Sequence, residues 1–223
     1  MAREGYRDEL ATLRADVAGM GELVIDRLSL GVDALSGDEE AARRVVDADD
    51  EVNRRYDALE STCLDLFALQ QPVASDLRVV AASFKVITDL ERVGDLASNL
   101  GTYALTDQRS SAPEIDVVAL GEDVLAMVED AVTAYIEGDV ETCYELADRD
   151  DEVDANSARA SDRLVRALIE REHATDAWSV ERVLDDVSRL LLTVRDLERI
   201  GDHAVNIAAR TAYLVDSDRT LIY

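Results

Sequence analysis

The chain repeats itself, and this constrains its fold more than any other feature. The segment Asp89-Leu90-Glu91-Arg92-Val93-Gly94-Asp95-Leu96-Ala97-Ser98-Asn99 returns as Asp196-Leu197-Glu198-Arg199-Ile200-Gly201-Asp202-His203-Ala204-Val205-Asn206, identical at eight of eleven positions and displaced by 107 residues. Asp49-Asp50-Glu51-Val52-Asn53 returns as Asp150-Asp151-Glu152-Val153-Asp154, and Gly37-Asp38 as Gly138-Asp139, both displaced by 101 residues. The difference between the two displacements leaves about six extra residues between the second and third helices of the second half. Such a chain must fold as one supersecondary unit built twice.

The unit is helical. Hydrophobic residues make up 48% of the chain but aromatics only 4%, and there are two prolines in 223 residues. The core must therefore come from Leu, Val, Ile and Ala at helical spacing. Start and stop signals predict six long helices. The first runs from near Tyr6 to Leu35 and ends at Ser36-Gly37-Asp38. The second continues to about Leu69. The third has Pro72 in its first turn, where a missing N–H costs little, and reaches about Asp107. Ser110-Ser111-Ala112-Pro113 reads as a linker. The fourth helix ends at Gly138-Asp139, and the fifth extends to about Glu172 before a break at Ala174-Thr175-Asp176. The sixth covers Ala177 to Asp216, with Trp178 anchoring its start, and Arg219 to Tyr223 follow without assigned structure. The expected fold class is all-α: two tandem three-helix bundles, residues 1–110 and 114–218. One continuous six-helix bundle is the alternative, since long antiparallel helices with short loops fit both.

The repeated motif breaks two rules of helix stability. On a 3.6-residue helix, Val79, Val86, Leu90, Val93, Ala97 and Leu100 form an apolar stripe, as do Leu190, Val194, Leu197, Ile200, Ala204 and Ile207. A second stripe carries Thr88, Glu91, Asp95, Asn99 and Thr102, and its counterpart carries Glu198, Asp202 and Asn206. Like charges at i, i+4 destabilise a helix by about 0.2–0.5 kcal/mol. Gly94 and Gly201 sit mid-helix at a cost of about 1 kcal/mol each relative to Ala. Both violations occur at matching places in both halves. A bound cation would offset the repulsion, and glycine would let a neighbouring helix or a metal cluster approach closely. The second helices add Asp150 with Asp154, and Asp49 with Asn53, so two facing helices could present several oxygens to one ion. Oxygen-only ligands favour hard cations or iron over a thiolate zinc site. The competing reading is a solvated acidic face.

Other groups say less. Glu170 and His173 form half of a di-iron carboxylate pattern with no second copy. His203 follows Asp202 as a ligand or a surface histidine. Cys63 and Cys143 read as small core residues, too few for a disulfide framework or a thiolate metal site. No Gly-rich phosphate loop or nucleophile elbow is present.

Charge excludes further classes. With 23 Lys+Arg against 49 Asp+Glu, the formal charge is −26, which opposes nucleic-acid phosphate. The longest uncharged run, Leu96 to Thr106, is too short to span a membrane. No basic and apolar leader opens the chain, so a cytoplasmic protein is expected. Lys85 is the only lysine beside 22 arginines, and Asp outnumbers Glu 30 to 19. Such a surface suits concentrated salt, where repulsion is screened within about 3 Å at 1 M. A halophilic source is expected, with local acidity for a cation or basic partner as the rival explanation.

Three stretches of the chain resemble the PhoU family of phosphate-uptake regulators. They are Leu69-Gln70-Gln71-Pro72-Val73-Ala74-Ser75-Asp76-Leu77-Arg78, then Lys85 to Asp95, and Asp196 to Ala208. With the two-repeat layout, the likeness covers essentially the whole chain. It implies two three-helix bundles whose acidic motifs hold iron or zinc clusters, or another divalent cation, on the surface. By position the implied metal ligands are Glu91, Asp95, Asp150, Asp154, Glu198, Asp202 and Asp49. Asn53 stands where the family pattern has Asp, which favours the second-repeat site. The resemblance also implies a non-catalytic, cytoplasmic negative regulator of phosphate uptake and phosphate-responsive signalling. Its implied partners are the ATPase subunit of a phosphate ABC importer, a sensor kinase, and a second copy in a homodimer. It would meet the membrane only through those partners. The alternatives are a carboxylate-bridged metalloenzyme and a metal-binding helical scaffold.

Overall fold

A computed structural model describes residues 2–69, 74–106, 115–170 and 177–221; the side chain of Asp49 lies outside the described residues. All described regular structure is helical: α1 (Ala2–Leu35), α2 (Glu39–Asp47), α3 (Asp49–Leu69), α4 (Ala74–Leu105), α5 (Val117–Glu137), α6 (Val140–Glu170) and α7 (Ala177–Asp216). The expected linker at 110–113, the break at 174–176 and Pro72 lie outside the described residues, as do His173 and the side chain of Trp178.

The two glycine turns close alike because the residues after them are alike. Gly37 and Gly138 adopt positive φ, 101° and 72°, which glycine accepts without a Cβ penalty. Each is followed by an aspartate that caps the next helix. The Asp38 carboxylate accepts from Glu40 N and Ala41 N, and Asp139 Oδ1 accepts from Glu141 N and Thr142 N.

The expected second helix is not continuous. It breaks at Ala48, separating α2 from α3, whereas its counterpart α6 runs unbroken. Charge explains the difference. Asp47, Asp49, Asp50 and Glu51 crowd like charges with no base among them. In α6 the position of Ala48 is held by Arg149, which ion-pairs with Asp130.

Packing joins the halves. The helices α1, α4, α7 and α5 form a closed ring in which each touches the next; α2 and α3 lie against α1 and α4, and α6 against α5 and α7. One contiguous core runs through both repeats. On α1 it takes Leu13, Val17, Met20, Val24 and Leu28, all essentially sealed from solvent, at the spacing of one helix face. Val86, Leu90, Val93, Ala97 and Leu100 of α4 are buried, as are Val194, Leu197, Ile200, Ala204 and Ile207 of α7. Val79 and Leu190, expected on the same stripes, are only partly buried. Cys63 and Cys143 are free and buried, and burial pushes both thiols up to about 11. The ring leaves the second stripes of α4 and α7 facing outward beside α3 and α6.

Candidate metal centre

In the second repeat, α6 and α7 bring together residues far apart in sequence. Asp150 and Asp154 lie one turn apart on α6, and Asp202 faces them from α7. Ligand oxygens of these three carboxylates lie within 4.8 Å of one another. Gly201 makes the approach possible. A Cβ built on it would stand 3.1 Å from Asp150 Oδ1 and 3.6 Å from Val153 Cγ1. Gly94 has the matching role in the first repeat, where a Cβ would meet Val52 Cγ1 at 2.9 Å. The duplicated glycines therefore admit the neighbouring helix, α6 against α7 and α3 against α4.

The cluster is electrostatically costly without a cation. Asp150 Oδ1 is buried and has no hydrogen-bond partner, an expensive condition for a carboxylate oxygen. Burial first, then Asp154, Asp202, Asp151 and Glu198, push its carboxyl up to about 7. Glu198 is raised by burial, Asp154 and Asp202, against the pull of Arg195. Asp202 is raised by burial and Asp154, with His203 and Arg199 opposing. An orphaned buried oxygen within a set of carboxylates fits a hard cation that takes oxygen ligands. It fits a thiolate-seeking ion poorly, since both cysteines are buried in the core.

The remaining expected ligands are placed differently. Glu198 lies beside the three aspartates, coupled to Asp154 and Asp202, without joining their 4.8 Å group. Glu91 is half-buried and Asp95 exposed on the outward stripe of α4. No second group of three or more such ligands forms among the described residues. The expectation for Asp49 lies outside them.

His203 is not a surface residue. It is 7% exposed, and its Nδ1 lies 2.9 Å from Asp89 Oδ1, joining α7 to α4. Asp196, which matches Asp89 by repeat, is also buried; it accepts from Asn99 Nδ2 at 3.2 Å and from Tyr103 Oη at 3.0 Å. Sequence reading placed Asp89 and Asp196 within the motif without giving them this role. The signal was available: each opens the repeated segment four residues before a core position, Val93 or Ile200.

A model of the PhoU domain matches residues 17–104 and 117–211, one copy on each repeat. A PhoU homologue of the phosphate-specific transport system accessory protein from Pseudomonas aeruginosa is 33% identical over 214 residues, covering 94% of this chain and 85% of that protein. The Escherichia coli phosphate-specific transport system accessory protein PhoU is 30% identical, covering 94% and 85%. The crystal structure of PhoU from P. aeruginosa superimposes with a TM-score of 0.84 at 31% identity, over 96% of this chain and 100% of that one. The phosphate transport system regulatory protein PhoU from Streptococcus pneumoniae gives 0.81 at 26%, over 96% and 99%.

Proposed function

The chain belongs to the PhoU family, and from that premise we propose that it regulates phosphate uptake without catalysis, by contact with a phosphate ABC importer. The match of a PhoU domain to both repeats carries this reading. Relatives are named as accessory and regulatory proteins of phosphate transport, not as enzymes, and this chain is likewise not an enzyme. In this reading the ATPase subunit of the importer is the main partner and a sensor kinase a second one. The chain restrains uptake or signalling when phosphate is sufficient. It works in the cytoplasm as a homodimer and meets the membrane only through its partners. No described helix is long and apolar enough to cross a membrane.

Two features support docking through helical faces. Large apolar side chains are exposed at matching places in the two repeats, Leu64 with Val165 and Leu77 with Leu184. The acidic set on α6 and α7 supplies the second. Asp150, Asp154 and Asp202 would hold a hard divalent cation or an iron cluster, with Glu198 at its edge, and the ion would brace α6 against α7. Glu91, Asp95 and Asp49 are the first-repeat counterparts by sequence, where neutral Asn53 replaces the carboxylate of Asp154.

A tagged chain recovered from phosphate-rich and phosphate-poor cells tests the role. The expected result is co-recovery of the importer ATPase, stronger from phosphate-rich cells, and unrestrained uptake when the gene is deleted. Unchanged uptake and phosphate-responsive expression after deletion would contradict it.

A further inference from the structure

The surface beside the aspartates sinks into a depression of about 420 Å³, lined by Arg92, Asp150, Arg199, Asp202, His203 and Asn206. Its basic residues come from both repeats. Arg92 lies on α4 and Arg199 on α7, at positions matched by the 107-residue displacement. The bonds from Asp89 to His203 and from Asp196 to Asn99 show that α4 and α7 run in opposite directions. That crossing brings both guanidiniums to one hollow.

Local neutralisation does not account for both arginines. Arg199 is 3.5 Å from Asp196 Oδ1. Arg92 has no ion pair among the described residues, because Asp89, its counterpart to Asp196, is occupied by His203. His203 is fixed by the same bond at its Nδ1 and also lines the hollow. The hollow thus gathers two arginines, His203 and Asn206 beside Asp150, the residue that carries the orphaned oxygen.

We infer that this depression binds a tetrahedral oxyanion of the phosphate class, held by Arg92 and Arg199 and admitted only when a cation occupies Asp150, Asp154 and Asp202. The inference rests on the metal reading given above. Guanidinium donates paired N–H groups that match phosphate oxygens. Without the cation, the neighbouring carboxylates repel the ligand; a divalent ion cancels two of their three negative charges and leaves the guanidiniums to attract it. Cation and oxyanion then bind with positive coupling, and each tightens the other by the same factor.

The test measures Mn²⁺ and, in parallel, Zn²⁺ affinity of the full chain by competition with a chelating indicator. Inorganic phosphate is present or absent, and chloride holds ionic strength constant. Phosphate is expected to tighten binding of at least one ion about fivefold or more. The Arg92→Ala/Arg199→Ala double variant should bind the ion at least as tightly as the parent, with a phosphate effect below about twofold. Both arginines are exposed, and an unchanged circular dichroism melt verifies folding. A parent that binds the ion without a phosphate effect overturns the oxyanion site and leaves the metal reading standing. A double variant with the full phosphate effect overturns the assignment to these arginines. Failure to bind either ion overturns both readings.

Discussion

Asp150 carries the most information per residue. Its buried Oδ1 lacks a partner, and its carboxyl is held up to about 7. In the unfolded chain an aspartate ionises near ~3.9. Between these values the folded, metal-free protein holds the extra proton, so this group's contribution to stability falls as pH rises from about 4 to about 7. Asp150→Asn should therefore raise the melting temperature of metal-free protein at pH 8 relative to the parent, and have little effect near pH 4. A lower melting temperature for the variant at pH 8 would show that the carboxylate is not strained there. Sequence spacing located Asp150, Asp154 and Asp202 as candidates, because i, i+4 periodicity is a local property. It did not reveal that Asp150 is the orphaned member. That depends on how closely α6 approaches Gly201, a tertiary distance. His203 was misjudged for the same reason. Its burial is set by α4 crossing α7, which local sequence does not encode.

At the scale of elements, most helices were legible and their interruptions less so. The Gly-Asp turns announced themselves through a positive-φ residue followed by a capping carboxylate. The break at Ala48 depends on the absence of a base within an acidic run, visible only against Arg149 in the other repeat. The α4–α7 crossing has a sharper test. His203 stands where the first repeat has Leu96, and its bond to Asp89 is almost wholly buried. Removing one partner of a buried hydrogen bond leaves the other unsatisfied, at a cost of about 1–3 kcal/mol. His203→Leu should lose about that much. Adding Asp89→Leu should recover most of it, because an apolar pair then fills the site. Denaturant titrations of the four proteins in this cycle measure the coupling. Additive losses in the double variant would mean that the pair contributes packing alone.

Across the whole molecule, the repeat and the charge act on different properties. The repeat yields a closed ring, α1–α4–α7–α5, with a common core. The charge of −26 loads the outside of that ring with repulsion that salt screens. We propose that this surface is adapted to concentrated salt. Each 1 kcal/mol of relieved repulsion corresponds to ~2–4 °C in a chain of this size. The melting temperature of metal-free protein should climb steadily with KCl from about 0.1 M, where the screening length is ~10 Å, to about 1 M, where it is ~3 Å. A flat or falling profile would remove the salt-adaptation argument. Screening acts least on the carboxylates of α6 and α7 that face one another at close range, where Asp150 is partly buried. A counter-charge at the site itself would relieve that repulsion. The most direct test is the metal content of natively purified protein, determined by elemental analysis beside an Asp154→Asn/Asp202→Asn variant. The parent should retain a divalent metal or iron through gel filtration and the folded variant should lose it. A parent without metal across independent preparations, or a variant retaining the same amount, would contradict a metal centre between α6 and α7.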